Sequence, residues 1–312
     1  MRPRLRQCFA ACLLFAAALT AHADPTGYAS GFDTLYKIDL ATAHATAIGP
    51  FGSIGPSQII NVDGLAFAPD GQLYGVADNL RYLIRIDTAT GRAAAVGPLD
   101  ISIAGAGQFN ALDFGLAFTC DGRLWLSSDV RSLLWEVNPA TGTARQVGAL
   151  GAQVTGLAGK DRSLYGVGVN GDEALYRIDT TTGQATAIGR LAPNLSFVDG
   201  GLDFDATGKM WLTIDYLVAP AGQPQILRND LASIDINTGL ATIVGPITGA
   251  GTGVGTVQME GLAVAPPPPC GSGIGSGVVN VPVPALSLPG RGVLLALMLI
   301  GAGLALRRHS VR

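Results

Sequence analysis

Histidine, cysteine and charge are all scarce in this 312-residue chain, and each scarcity removes a class of function. Of the three histidines, His22 and His309 lie in the terminal segments, so only His44 is left for the body. No Ser/His/Asp, Cys/His or histidine-rich zinc arrangement can be assembled from that set. Four cysteines are present, and two of them, Cys8 and Cys12, fall in a leader-like stretch. Cys120 and Cys270 remain, too few for a disulfide framework. They are open to two readings: one buried thiol and one linker thiol, or a single bridge pinning the linker to the body. Charged residues make up only 14% of the chain. Setting aside the three arginines among the first 23 residues and the four from Arg291 onward leaves 13 basic against 23 acidic residues, a body near −10. That balance argues against nucleic acid or anionic lipid as a partner, since both need clustered Lys and Arg, and it suits a cation or a neutral ligand.

Glycine, by contrast, is abundant at 43 residues, and much of it is periodic. An Asp or Asn is followed ten residues later by a Gly five times: Asp39 to Gly49, Asp87 to Gly97, Asn138 to Gly148, Asp179 to Gly189 and Asp235 to Gly245. Repeats of about 40 to 50 residues point to propellers or solenoids. Within each repeat four short apolar segments are separated by turn signals, the pattern of a four-stranded antiparallel blade. Gly-Leu marks an innermost segment at Gly64-Leu65, Gly115-Leu116, Gly156-Leu157, Gly201-Leu202 and Gly261-Leu262, where backbones crowd together. An aromatic residue marks the second segment, at Tyr28, Tyr74, Trp125, Tyr165 and Trp211, and is expected to fill space between blades. The third alternates at period two, as in Leu83-Ile-Arg-Ile-Asp87. Thr-Gly then turns the chain at Thr90-Gly91, Thr141-Gly142, Thr182-Gly183 and Thr238-Gly239; in the first repeat Ala43-His44 is read at that place, with either a looser turn or His44 in a strained conformation expected.

The ends of the repeat array decide its topology. The first repeat lacks an innermost segment, and Met259 to Pro266 is an innermost segment with nothing after it. The two halves complete one blade, so the expected fold is an all-β, five-bladed β-propeller in which the last strand closes the first blade and removes the open sheet edge. The Leu-Tyr-x-Ile-Asp, Thr-Gly and Ala-Thr-x-Ile-Gly pattern of residues 27 to 266 also resembles the propeller-like repeats of many uncharacterised bacterial surface proteins, a resemblance that implies shape rather than activity.

Outside the repeats, Met1 to Ala23 carries Arg2, Arg4 and Arg6, an apolar run from Phe9 to Leu19 and Ala21-His22-Ala23 before Asp24, which reads as a secretory signal peptide. The expected organisation is a signal at 1–23, the propeller at 24–266, a Pro/Gly/Ser linker at 267–282 and a C-terminal segment at 283–312. That segment holds an apolar run, Val293 to Leu306, followed by Arg307, Arg308 and Arg312. Fourteen helical residues at about 1.5 Å each reach roughly 21 Å, short of the ~30 Å hydrocarbon core, so a membrane helix here is a marginal permanent anchor. Val283-Pro284-Ala285-Leu286-Ser287-Leu288-Pro289-Gly290 resembles the sorting motif of the IPTL-CTERM family of Gram-negative bacteria, matching at Pro284, Leu286, Ser287 and Gly290, with conservative changes at Val283 and Ala285 and Pro289 in place of a Trp. The resemblance covers about the last 30 residues. It implies handling by a membrane sorting protease of the exosortase type, Arg307 and Arg308 included in the signal, and a body that is periplasmic, extracellular or on the cell surface.

Candidate chemistry concentrates on one face. In a propeller the loop before the innermost strand and the loop between the second and third strands open on the same side. Carboxylates sit at the first of these in four repeats, Asp63, Asp113, Asp199 and Glu260, with Thr155 in the fifth. The second loop carries Asp33, Asp78, Asp129, Asp172 and Asp215. Convergent carboxylates can supply several of the six to eight oxygens that calcium takes, so calcium at Asp63, Asp113, Asp199 and Glu260 is one reading; the other is that each acid bonds turn amides or keeps its loop solvated, and no DxDxDG-like loop is present. Arg81 and Arg131 lie in the same loops and can pair with the acids instead. The expected function is a non-enzymatic binding module for a cation, a glycan or a surface protein. The alternative is a secreted carbohydrate-active hydrolase or lyase using Asp63, Asp113, Asp199 or Glu260 as paired acids. Gly249 to Gly255 lacks the Lys of a phosphate loop and reads as an irregular loop on that face.

Overall fold

The computed structural model describes residues 25–102, 111–218, 226–250 and 258–270. The expected signal peptide, most of the linker, the apolar run and the sorting motif lie outside the described residues. Among the described residues no helix is long and apolar enough to cross a membrane, and regular structure is strand apart from one short 3-10 turn, Asp78–Leu80.

Five antiparallel sheets form five blades. Blades 2 to 5 each use four consecutive strands, with innermost strands Val62–Phe67, Phe114–Phe118, Val154–Lys160 and Leu202–Phe204. Blade 1 takes Thr26–Gly31, Thr34–Asp39 and His44–Pro50 from the start of the repeats and its innermost strand, Leu262–Ala265, from the end, pairing Thr26 with Ala265 and Ala29 with Leu262. The closure expected from the incomplete first repeat is therefore formed. Asp203 of blade 5 also holds the closing strand, accepting the Val264 amide at 2.7 Å.

The ten-residue spacing has a physical cause at each end. The Asp or Asn ends the third strand and its side-chain oxygen accepts amides of the turn, as Asp87 does from Ala89 and Thr90 at 2.7 and 3.2 Å. The Gly sits just past a register shift in the fourth strand, between Leu83 and Ile84 in blade 2. There it meets the Thr-Gly turn of the next blade: a Cβ on Gly97 would lie 1.9 Å from the Thr141 carbonyl oxygen, and one on Gly189 would lie 2.1 Å from that of Thr238. The signature is thus an interlock between neighbouring blades, and any side chain would drive them apart.

The interlock stops at the seam between blades 5 and 1. A Cβ on Gly245 would meet nothing within 4 Å. The first repeat has Thr42-Ala43 where the others have Thr-Gly, and Ala43, at φ 58°, takes the left-handed conformation expected of His44, which corrects that reading by one residue. Thr248–Ala250 fills the seam by pairing in parallel with His44–Thr46, a fifth strand in blade 1 that takes in the first two residues of the expected irregular loop, Gly249 and Ala250; the rest of that stretch lies outside the described residues.

Hydrophobic burial lies between blades rather than within them. Five apolar clusters occupy the five blade interfaces, and each receives one of the second-strand aromatics, Tyr28, Tyr74, Trp125, Tyr165 or Trp211. Three of these pack edge-on against a Phe of the following blade, Tyr28 on Phe67, Tyr74 on Phe118 and Tyr165 on Phe204. The two tryptophans instead find acceptors, Trp125 Nε1 at Thr119 Oγ1 and Trp211 Nε1 at Asp205 Oδ2. At the centre the glycines of Gly-Leu touch around the ring: a Cβ on Gly115 would strike the Thr155 carbonyl oxygen at 2.2 Å, and one on Gly201 the Leu262 nitrogen at 2.1 Å. The hub is consequently almost solid, with a void of about 10 Å³, no larger than one water.

Cys120 and Cys270 form a disulfide with Cα atoms 5.5 Å apart. Of the two readings left open by the sequence, the bridged one is present. Cys120 follows the innermost strand of blade 3, and Cys270 lies five residues beyond the closing strand. Residues 266–270 therefore cross the end of the hub opposite the acidic loops, where Pro267, Pro268 and Cys270 line a cleft with Phe67, Phe118 and Asp203.

Candidate functional site at the acidic mouth

Every innermost strand begins at the same end of the disc, and every second strand finishes there. That geometry gathers seven carboxyl groups around the closed hub: Asp63, Asp113, Asp199 and Glu260 at or just before the starts of the innermost strands, and Asp78, Asp129 and Asp215 four residues after the second-strand aromatics. Some face each other directly across strands. Asp129 donates its amide to Asp113 at 3.4 Å, and Asp215 to Asp199 at 2.8 Å, so two blades place like charges on opposed residues. Such pairs are destabilising in an ordinary sheet.

The boundary between blades 2 and 3 is the most crowded point. One ligand-competent oxygen from each of Asp63, Asp78 and Asp113 lies within 4.8 Å of the others. Two full charges at that separation repel by about 3.5 kcal/mol at an effective dielectric of about 20. The chain holds the group in place with backbone donors. Asp78 Oδ2 accepts the amides of Leu112 and Asp113 at 2.7 and 3.2 Å, and Asp63 Oδ2 accepts that of Phe114 at 3.2 Å. Asn61 Nδ2 donates to Asp63 Oδ1 at 3.1 Å. Asn61 and Asp113 both adopt the left-handed region, φ 56° and 46°, which Asn and Asp tolerate better than most residues.

One guanidinium answers this charge. Arg81 pairs with Asp78, as the sequence allowed, whereas Arg131 turns away and donates to the Ser102 carbonyl at 2.7 Å. The remaining acids are left with burial and mutual repulsion, and their proton affinities rise. Desolvation, then repulsion from Asp78, Glu260, Asp113 and Asp199, pushes Asp63 well above the carboxylate range. Asp199 rises in the same way, against the Thr155 hydroxyl that donates to it. Burial lifts Glu260 to about 8, although its hydrogen bond with Asp63 opposes the rise, and it lifts Asp129 to about 7 and Asp113 and Asp215 to about 6.

Two of the acids expected here are elsewhere. Asp33 accepts Thr34 Oγ1 at 2.8 Å and acts on Tyr36, and Asp172 is exposed and accepts the hydroxyl of Tyr176. The reason is register. Asp78, Asp129 and Asp215 each follow their second-strand aromatic by four residues, where the amide still meets a carbonyl at the start of an innermost segment, of Asn61, Asp113 and Asp199 respectively. At that offset blades 1 and 4 carry Phe32 and Val169, and Asp33 and Asp172 lie farther along, in the loops. Sequence reasoning missed Asn61 and Gln258, whose Nε2 donates to Asp215 Oδ2 at 2.7 Å.

No family model and no curated protein matches the chain. Solved structures do match. A crystal structure of a nidogen/laminin complex aligns with 77% of this chain and 98% of its own, at TM-score 0.50 and 12% identity. A structural genomics protein of unknown function from Bacteroides thetaiotaomicron aligns over 60% of this chain and 53% of its own, at TM-score 0.45 and 19% identity. The virginiamycin B lyase of Staphylococcus aureus aligns over 68% and 62%, at TM-score 0.39 and 17% identity. At 12% identity the likeness to the nidogen/laminin complex concerns the fold alone and nothing of the chemistry.

Proposed function

We propose that this chain is an exported propeller that works as a non-enzymatic binding module, with the acidic mouth as its recognition surface. The observation that carries the reading is the set of seven convergent carboxyls on one face of the disc, three of which, Asp63, Asp78 and Asp199, are held by backbone amides. Two further features support it. A disulfide belongs to oxidising compartments, which suits a body outside the inner membrane. Residues 266–270 leave the disc on the face away from the mouth, so a tail sorted at the membrane through Val283 to Gly290 by an exosortase-type protease would present the mouth outward.

The hydrolase or lyase alternative draws on the same acids, yet Glu260 hydrogen-bonds Asp63 directly. Glycosidase pairs stand about 5 to 9.5 Å apart, leaving room for the sugar or a water. The contact favours proton sharing over acid and nucleophile roles. The test compares the full chain with a variant carrying Asp63→Asn, Asp113→Asn, Asp199→Asn and Glu260→Gln, on a glycan array and on a panel of polysaccharides assayed for new reducing or unsaturated ends. Glycan retention without turnover, lost in the variant, is the expected result. Turnover lost in the variant would install the enzyme reading, and retention unchanged by the variant would move recognition off the mouth.

A further inference from the structure

A carboxylate cluster alone is a solvated rim as often as a site. Here a second observation points to a ligand. Asp215 and Asp129 are 0% and 5% exposed, and Oδ1 of each has no hydrogen-bond partner among the described residues; Glu260 Oε2 is equally buried and equally unpartnered. Asp129 stands opposite Asp113, its amide meeting the Asp113 carbonyl at 3.4 Å, and Asp215 stands opposite Asp199 at 2.8 Å, so these unpartnered oxygens lie on the ring of the mouth. Buried polar atoms nearly always find a partner, and an orphan carboxylate oxygen calls for a bound water or ion.

The size of the gap selects the ligand. Oxygens at 2.3 to 2.6 Å from a calcium ion stand at most about 5 Å from one another across it. The Asp63, Asp78 and Asp113 oxygens, all within 4.8 Å, meet that limit. Magnesium demands near-octahedral oxygens at about 2.0 to 2.1 Å and keeps several waters, usually on one or two carboxylates, which fits a three-carboxylate pocket less well. The nearly solid hub closes the base of the pocket, so nothing as large as a sugar ring passes below the mouth.

We propose that a calcium ion binds at the mouth between blades 2 and 3, ligated by Asp63, Asp78 and Asp113, with Glu260 as the neighbouring fourth carboxylate and water completing the shell. The proposal rests on the mouth being the recognition surface and names its first ligand. Arg81 remains on Asp78 Oδ1 and limits the net negative charge.

Isothermal titration of the metal-free full chain with calcium chloride, and separately with magnesium chloride, tests it. One saturable calcium site is expected, with magnesium at least tenfold weaker. Asp113→Asn should weaken calcium at least tenfold, whereas Asp70→Asn, at an exposed turn of blade 2, should leave it unchanged. If Asp113→Asn fails to fold by circular dichroism, Asp63→Asn and Glu260→Gln take its place. Absence of heat and of any thermal shift at 5 mM calcium, in a chain that is folded, overturns the site. Equal calcium binding by wild type and Asp113→Asn also overturns it, by assigning the ion to exposed acids. Calcium binding without mouth-dependent glycan retention would defeat the functional reading above and leave the ion site standing; retention without calcium binding would do the reverse.

Discussion

Replacing both Cys120 and Cys270 with serine should cost more stability than any other pair of surface-proximal changes in this chain. The bridge joins residues 150 apart in sequence, so in the unfolded state it closes a loop holding most of blade 3, all of blades 4 and 5 and the closing strand. In the chain-entropy treatment a loop of that length lowers the unfolded-state entropy by about 17 cal/mol/K, or about 5 kcal/mol at 25 °C. For a body of this size the unfolding entropy is about 0.5 kcal/mol/K, so the melting temperature should fall by about 10 °C. Differential scanning calorimetry of the full chain without reductant is the assay. A second readout separates loss of the bridge from a packing fault: residues 266–270 should become cleavable by a protease at temperatures where the far-ultraviolet dichroism of the blades is unchanged. A fall of less than 2 °C would refute the reasoning, because it would mean that the bridge constrains nothing the closing strand does not already hold.

Three further outcomes follow from the packing. Gly189→Ala and Gly245→Ala are equivalent in the repeat but not in space, so the first, with its Cβ 2.1 Å from the Thr238 oxygen, should destabilise by about 2 kcal/mol or more. The second, with nothing within 4 Å, should be neutral or stabilise by about 0.5 kcal/mol in urea titrations. Asp87→Ala removes the acceptor of two turn amides and should cost about 1 kcal/mol by the same measurement. Burial raises Asp203 to about 7, so the folded state binds its proton more tightly than the unfolded chain does. Its contribution is therefore fully favourable below about pH 4 and is lost as pH rises from about 4 to 7. Asp203→Asn should flatten that part of the pH profile of the melting temperature, and a difference profile with no slope between pH 4 and 7 would refute the assignment.

The sequence made the repeat legible because its marks are local. A turn needs an Asp or Asn to hold its amides, an interlock needs a Gly, and both recur at fixed spacing. The mouth was legible only where loop acids coincide with strand register. Counting loops admits Asp33 and Asp172; counting four residues from the second-strand aromatic selects Asp78, Asp129 and Asp215 and rejects the other two. A side chain's direction is set by its offset along the ladder, and Asp33 and Asp172, one and three residues beyond the shared offset, escape that constraint. The disulfide and the seam strand were not legible, since both depend on ring closure to bring residues 150 or 200 positions apart into contact.

Ring closure has one more consequence, for the polarity of the molecule. Innermost strands all run from the mouth to the far face, and the last strand of the body, Leu262–Ala265, is an innermost strand. Had the first repeat been complete, the body would have ended on a fourth strand, which runs the other way, and the chain would have left beside the acids. Shifting one strand from the front of the array to the back sends residues 266–270 out beneath the hub, where the bridge to Cys120 fixes them. The same step that seals the sheet edge thus puts Cys270 and the carboxylate mouth on opposite faces of the disc.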